Sequence, residues 1–187
     1  MKKPVFLLIS FLTLTTALFG TDFKLGIGGG LIYHGTYDME FVWLSESSKG
    51  TIINNDFGLF FFLDATYAVI DAAFNYGFLT YDYVGSRASE NTNGFTFEIS
   101  LFGKYPISLQ SITIFPLLGI IYQFETFFGG LGILGGIGMD IPISERIYLR
   151  GELQYGARFW KESQAKEFAD STIGHGPRIK FGIGYSF

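Results

Sequence analysis

The sequence predicts an all-β chain that closes on itself as a single transmembrane antiparallel up-and-down β-barrel of about eight strands. Three observations lead there. Apolar residues alternate with small or charged ones along most of positions 23–187, the mark of strands with two unlike faces. The chain is 48% hydrophobic, with 22 Phe and 11 Tyr, yet after the first twenty residues no apolar run is long enough for a spanning helix without Gly, Asp or Pro in it. The last stretch, Pro177 to Phe187, sets Ile179, Phe181, Ile183, Tyr185 and Phe187 on one face, with Arg178, Lys180, Gly182, Gly184 and Ser186 on the other.

Residues 1–20 are read apart from the fold. Lys2 and Lys3 precede an apolar run from Val5 to Phe19 and the small Gly20, which is the layout of a secretory signal peptide. Cleavage near Ala17 or Gly20 would leave 21–187 as one barrel domain. Without Lys2 and Lys3, 11 basic residues face 17 acidic ones, a net charge of −6 with no basic tract, so nucleic acid is not an expected partner. The chain has no cysteine, which excludes a disulfide framework, a thiolate metal site and a lipidated cysteine.

Each element follows from its pattern. Phe23 to His34 alternates Phe23, Leu25, Ile27, Leu31 and Tyr33 with Lys24, Gly26, Gly28 and Gly30 and reads as the first strand. Gly28-Gly29-Gly30 lacks the helix and the lysine of a phosphate-cradling loop. Gly35 to Asn55 loses clean alternation and reads as the first external loop, its flanks extending the strands. Phe57 to Tyr67 and Ile70 to Phe78 form a hairpin about a tight turn at Tyr67-Ala68, with Asp56, Phe60, Phe62, Asp64, Asp71, Ala73 and Asn75 inward. Val84 to Gly94 is a second polar loop. Phe95 to Tyr105 alternates clearly, with Glu98 and Lys104 inward, and Pro106 to Gln110 reads as a short turn. Ile112 to Phe124 is apolar on both parities; Thr113, Gly119 and Gln123 mark its inner face, and Pro116 implies a bulge or a break in pairing. A turn near Phe128-Gly129-Gly130 leads to Leu131 to Ile141, and Pro142 to Arg146 turns into Ile147 to Phe159. Trp160 to Gly176 reads as the last loop. Short turns thus alternate with connections of which three of the four are long and polar, the asymmetry of barrels that cross a membrane.

These faces place Lys24, Asp56, Asp64, Asp71, Glu98, Lys104, Asp140, Arg150, Glu152, Arg158, Arg178 and Lys180 inside. Eight strands leave a lumen that side chains just fill, and charges there must pair, because an isolated buried ion costs several kcal/mol or more. A lumenal charge network is expected, with Glu152 meeting Arg178 or Lys180 on the adjacent last strand. Inward glycines keep a narrow passage open as the other arrangement.

The terminal R-I-K-F-G-I-G-Y-S-F resembles the C-terminal sorting signal of bacterial outer-membrane barrels, and the whole of 21–187 resembles the small eight-stranded outer-membrane proteins of the A, X and W types. That resemblance implies a bacterial outer-membrane location, the lipid bilayer and the barrel assembly machinery as partners, and Phe181, Ile183, Tyr185 and Phe187 as the assembly signal. The implied role is structural or surface-interacting, with a small solute or a host surface ligand as a further candidate partner. The alternative is a narrow, W-type-like channel or binding barrel for small, hydrophobic solutes. Phe60 and Phe62 evoke it, as do Met39, Phe41 and Trp43 as candidate loop ligand contacts. Barrel enzymes of this size need a histidine beside a serine and an acid. The two histidines, His34 and His175, should lie near the external strand ends, and no H-x-S pair occurs. Neither catalytic residues, nor a metal site, nor a cofactor is expected.

Overall fold

Among the described residues nine strands form from these alternating stretches: β1 Lys24–Trp43, β2 Glu46–Ala65, β3 Ala68–Tyr83, β4 Ser89–Lys104, β5 Ile107–Leu109, β6 Ile112–Phe124, β7 Gly130–Pro142, β8 Ile147–Trp160 and β9 Thr172–Ser186. This computed structural model describes residues 23–43, 46–83, 89–124, 130–160 and 172–187, with the backbone alone at 31–43, 46–52, 54, 79, 81–83, 89–92, 160, 172 and 173. The segment read as a signal peptide lies outside the described residues.

All strand pairings are antiparallel, in the order β4-β3-β2-β1-β9-β8-β7-β6-β5, and a further β4–β6 pairing closes eight strands into a ring. The fold is therefore the closed all-β barrel expected, with its first and last long strands side by side. Following the cross-strand partners once around, from Gly26 through Phe62, Asp71, Ser100, Ile121, Gly132, Arg158 and Gly174, returns to β1 at Tyr37. A stagger of that size tilts the strands by roughly 40° and leaves a bore only side chains can fill.

The two faces are inverted relative to a soluble protein. Outward positions carry Leu25, Ile27, Phe57, Leu59, Phe61, Ile70, Phe74, Ile99, Leu118, Ile133, Leu153 and Phe181, all exposed, whereas the buried set contains Arg150, Arg158, Arg178 and Lys180. Along β4 and the residue after it, the outward band runs from Phe95 to Tyr105. At ~3.3 Å per residue and the tilt above, that spans about 25 Å along the axis, the height of a lipid-facing belt. Aromatic residues crowd one rim, where Phe74 stacks on Phe95 at 5.3 Å and Tyr122 meets Phe124 at 4.7 Å. Tyr67, Tyr105, Tyr185 and Phe187 mark the opposite rim, at the short-turn end.

Several boundaries differ from the sequence reading. Gly35 to Asn55 is mostly strand: β1 and β2 stay paired to Trp43 opposite Glu46, and only 44–45 lie outside the described residues. β4 begins at Ser89, paired with Asp82, so much of the second expected loop also extends a hairpin. Polar residues satisfy a ladder as well as apolar ones once a neighbouring strand templates them. Thr172 to Gly176 belongs to β9, which leaves 161–171 outside the described residues. Within Pro106 to Gln110 lies β5, paired with Ile112–Ile114 through a turn at Gln110, whose φ is 54°. Pro116 marks a local break in pairing on one side only: the β6–β7 register runs on through it, whereas the β4–β6 pairing stops at Lys104 opposite Leu117 and resumes as β5–β6 at Ile107 opposite Ile114. Its carbonyl accepts the Tyr105 N–H at 3.2 Å, so its missing N–H lies on that side, where β4 gives way to β5. β1 carries register shifts between Leu31 and Tyr33 against β2 and between Leu31 and Thr36 against β9; the first sets Tyr33 opposite Asp56 and breaks the simple parity of the first strand.

Candidate functional site: the charged interior

The interior is built on glycines. Phe62 stands opposite Gly26, Phe60 opposite Gly28, Phe115 opposite Gly138 and Tyr148 opposite Gly184, so each large ring lies flat across a neighbouring strand. A Cβ at Gly138 would come within 2.1 Å of the Phe115 ring, and one at Gly184 within 2.2 Å of the Tyr148 ring. Small residues on β1, β7 and β9 thus make room for rings from β2, β6 and β8.

Cations rest on those rings. Lys180 Nζ is 4.3 Å from the Phe60 centroid, the Arg150 guanidinium 4.5 Å from Phe62 and 4.9 Å from Phe115, and Lys24 Nζ 4.7 Å from Tyr148. Ring quadrupoles attract such charges most where water is excluded.

The charges then join end to end. Toward the short turns, Arg150 donates from Nε and Nη2 to Asp140 at 2.7 and 2.8 Å and from Nη2 to Asp64. Lys104 donates to Asp64 at 2.7 Å, and Lys24 reaches Asp140 at 3.3 Å. Midway, Lys180 bridges Asp71 and Glu152, the latter at 3.0 Å, while Glu152 accepts from Gln154 at 2.7 Å and lies 3.9 Å from Arg150. Toward the other end, Glu98 accepts from Arg158 at 2.7 Å, Arg178 at 3.1 Å and Asn75 at 2.9 Å. Arg158 also donates to Gln123 and lies 3.8 Å from Asp56. Among the described residues, the inward acids Asp56, Asp64, Asp71, Glu98, Asp140 and Glu152 balance the inward bases Lys24, Lys104, Arg150, Arg158, Arg178 and Lys180, and each acid has a basic partner. Glu152 faces Lys180 directly across the β8–β9 ladder; Arg178 faces Gln154 and reaches across the lumen to Glu98 instead.

Chemically, such an interior holds charge in place. The His175 ring lies outside it, on the outer face, with Nδ1 2.8 Å from the Tyr155 hydroxyl. Thr36 of β1 pairs with His175, which puts His34 two positions from that pair along β1. Met39, Phe41 and Trp43 lie on the β1–β2 hairpin opposite Gly50, Ser48 and Glu46, and their side chains lie outside the described set. Phe181, Ile183, Tyr185 and Phe187 face outward on β9. Phe60 and Phe62 are buried under cations rather than lining an open apolar channel. Which ring lies on which glycine was not read from the sequence, and strand-by-strand parity alone carries no signal for it.

In its fold the chain is similar to outer-membrane β-barrels of known structure. Solved structures similar to it include the Neisserial surface protein A, at 10% identity and a TM-score of 0.48 over 90% of this chain and 100% of that one. They include Escherichia coli outer membrane protein W, at 14% identity and a TM-score of 0.48 over 88% and 97%. The E. coli outer membrane protease OmpT is also among them, at 8% identity and a TM-score of 0.47 over 89% and 97%. No family model matches the chain, and no curated protein matches it in sequence.

Proposed function

We propose that this chain is an integral barrel of the bacterial outer membrane whose closed, charge-balanced interior makes it a rigid anchor, with a structural or surface-interaction role carried by the long β1–β2 and β3–β4 hairpins. One observation carries the reading: the apolar belt faces out while six acids and six bases neutralise one another inside. A soluble protein would gain nothing from that inversion, whereas a bilayer stabilises it directly. In this reading residues 1–20 direct export and 21–187 form the barrel, both chain ends lie on the periplasmic side with the short turns, and no catalytic step is assigned. Unboiled protein refolded in lipid should migrate differently from boiled protein on a denaturing gel and give a strand-dominated circular dichroism spectrum. Recovery in the soluble periplasmic fraction would sink the reading.

Assembly is the second part of the proposal. Phe187 is 80% exposed and caps an outward row of Tyr185, Ile183 and Phe181, a form suited to recognition by the barrel assembly machinery. Deleting Phe187 should lower the amount of folded barrel in the outer membrane several-fold in cells while leaving refolding in vitro intact. Equal membrane levels of the truncated and intact chains would remove that role.

A further inference from the structure

We propose that the outer face at the β1–β9 seam holds one glycerophospholipid, its acyl chain in an apolar groove and its phosphate on Arg146; this rests on the membrane reading above. The groove has a volume of about 440 Å³. Its walls are the outward pairs Leu25–Tyr185 and Ile27–Ile183, with Phe61 of β2 and Ile147 of β8 closing its sides. A furrow so lined, facing hydrocarbon, takes a hydrocarbon chain.

Its end toward the short turns is not apolar. Arg146 precedes Ile147 on the β7–β8 turn, and its Nη1 donates to the Tyr185 hydroxyl at 2.9 Å. The Ser186 N–H donates to the Arg146 carbonyl at 2.8 Å, which ties that turn to β9. The cation is thereby pinned beside the mouth of the groove while the residue stays exposed. Tyrosine rings with a wet hydroxyl and an apolar body sit at the membrane–water boundary, so Tyr185 sets the depth: hydrocarbon along the groove, headgroups at Arg146. Guanidinium binds phosphate oxygens through paired N–H donors. An amphiphile with one phosphate and a hydrocarbon tail matches both parts, whereas free phosphate or a neutral lipid matches one.

The test refolds the full chain in non-ionic detergent doped with phosphatidylglycerol, exchanges the detergent, and counts retained lipid by native mass spectrometry. One phosphatidylglycerol per barrel is expected. A diacylglycerol with the same chains should be retained about tenfold less, and excess inorganic phosphate should displace nothing. Arg146→Gln should reduce phosphatidylglycerol retention about tenfold, and Ile183→Trp, which fills the groove, should reduce retention of both lipids. Equal retention of the two lipids, displacement by phosphate, or variants indistinguishable from wild type would overturn the proposal. The heat-dependent gel shift is read on every sample. Wild type that fails to fold in the doped detergent contradicts the membrane reading itself, and a folded barrel that retains no lipid overturns this site alone.

Discussion

Replacing Arg150 with Met is expected to lower the unfolding free energy of the folded barrel by about 3–5 kcal/mol, the cost of leaving a desolvated charge without its partner. Arg150 is 1% exposed, and its guanidinium holds both Asp140 and Asp64 while resting on the rings of Phe62 and Phe115. Methionine fills much of the space but returns neither the charge nor the N–H donors. Asp140 would then depend on Lys24, whose side chain is 27% exposed, and Asp64 on Lys104. Arg150→Lys keeps the charge and loses the forked geometry, so it should cost less than the Met variant. Urea unfolding of the refolded protein, followed by the gel shift, measures both. Since m is about 1–3 kcal/mol per molar urea for small proteins, the Met variant's midpoint should fall by a molar unit or more. An unchanged midpoint would mean that water in the lumen solvates Asp64 and Asp140, and the interior would then be a passage rather than a packed core.

Gly138→Ala should destabilise the barrel by about 1–3 kcal/mol, the usual range for forcing an extra carbon into a filled interior. The three atoms nearest the added Cβ all belong to the Phe115 ring, the first at 2.1 Å, and no backbone atom is among them. The conflict is therefore between two side-chain positions, and a second change can relieve it. Phe115→Leu alone should also destabilise, by opening a cavity beneath Arg150 and Lys104. Combined, the two should cost less than the sum of their separate effects, with a coupling energy in the ~0.5–3 kcal/mol range found for touching residues. Strict additivity would show that Phe115 does not lie across Gly138.

The barrel was legible because a closed sheet with lipid outside and charge inside imposes one period on every strand. That period survives in Phe95 to Lys104 and in Ile179 to Phe187, where each alternate residue changes character. Outside the belt the constraint lapses. Polar stretches such as Glu46 to Asn55 and Ser89 to Gly94 extend strands because a neighbour offers a ladder, and no residue pattern announces that. Pro116 was legible, since a proline in a strand marks a break in pairing, and β6 loses β4 at Leu117 and gains β5 at Ile114 on the side its carbonyl faces. Which inward acid meets which base depends on register around the whole ring. Hence Glu152 faces Lys180 while Arg178, two residues away on the same strand, reaches Glu98 on the far side. The glycine-and-ring pairs are equally non-local, since Gly138 and Phe115 are joined by a register that neither residue encodes.

Current through single molecules is the most direct measure of whether the interior is closed. Protein refolded in detergent, verified by its gel shift, would be inserted into a planar bilayer under an applied voltage in moderate salt. With Arg150, Lys180 and Glu98 each held between partners across the lumen, insertion should produce no stepwise increase in conductance above the bare bilayer. Reproducible, uniform steps from protein shown to be folded and inserted would contradict the closed interior and favour a narrow channel for small solutes.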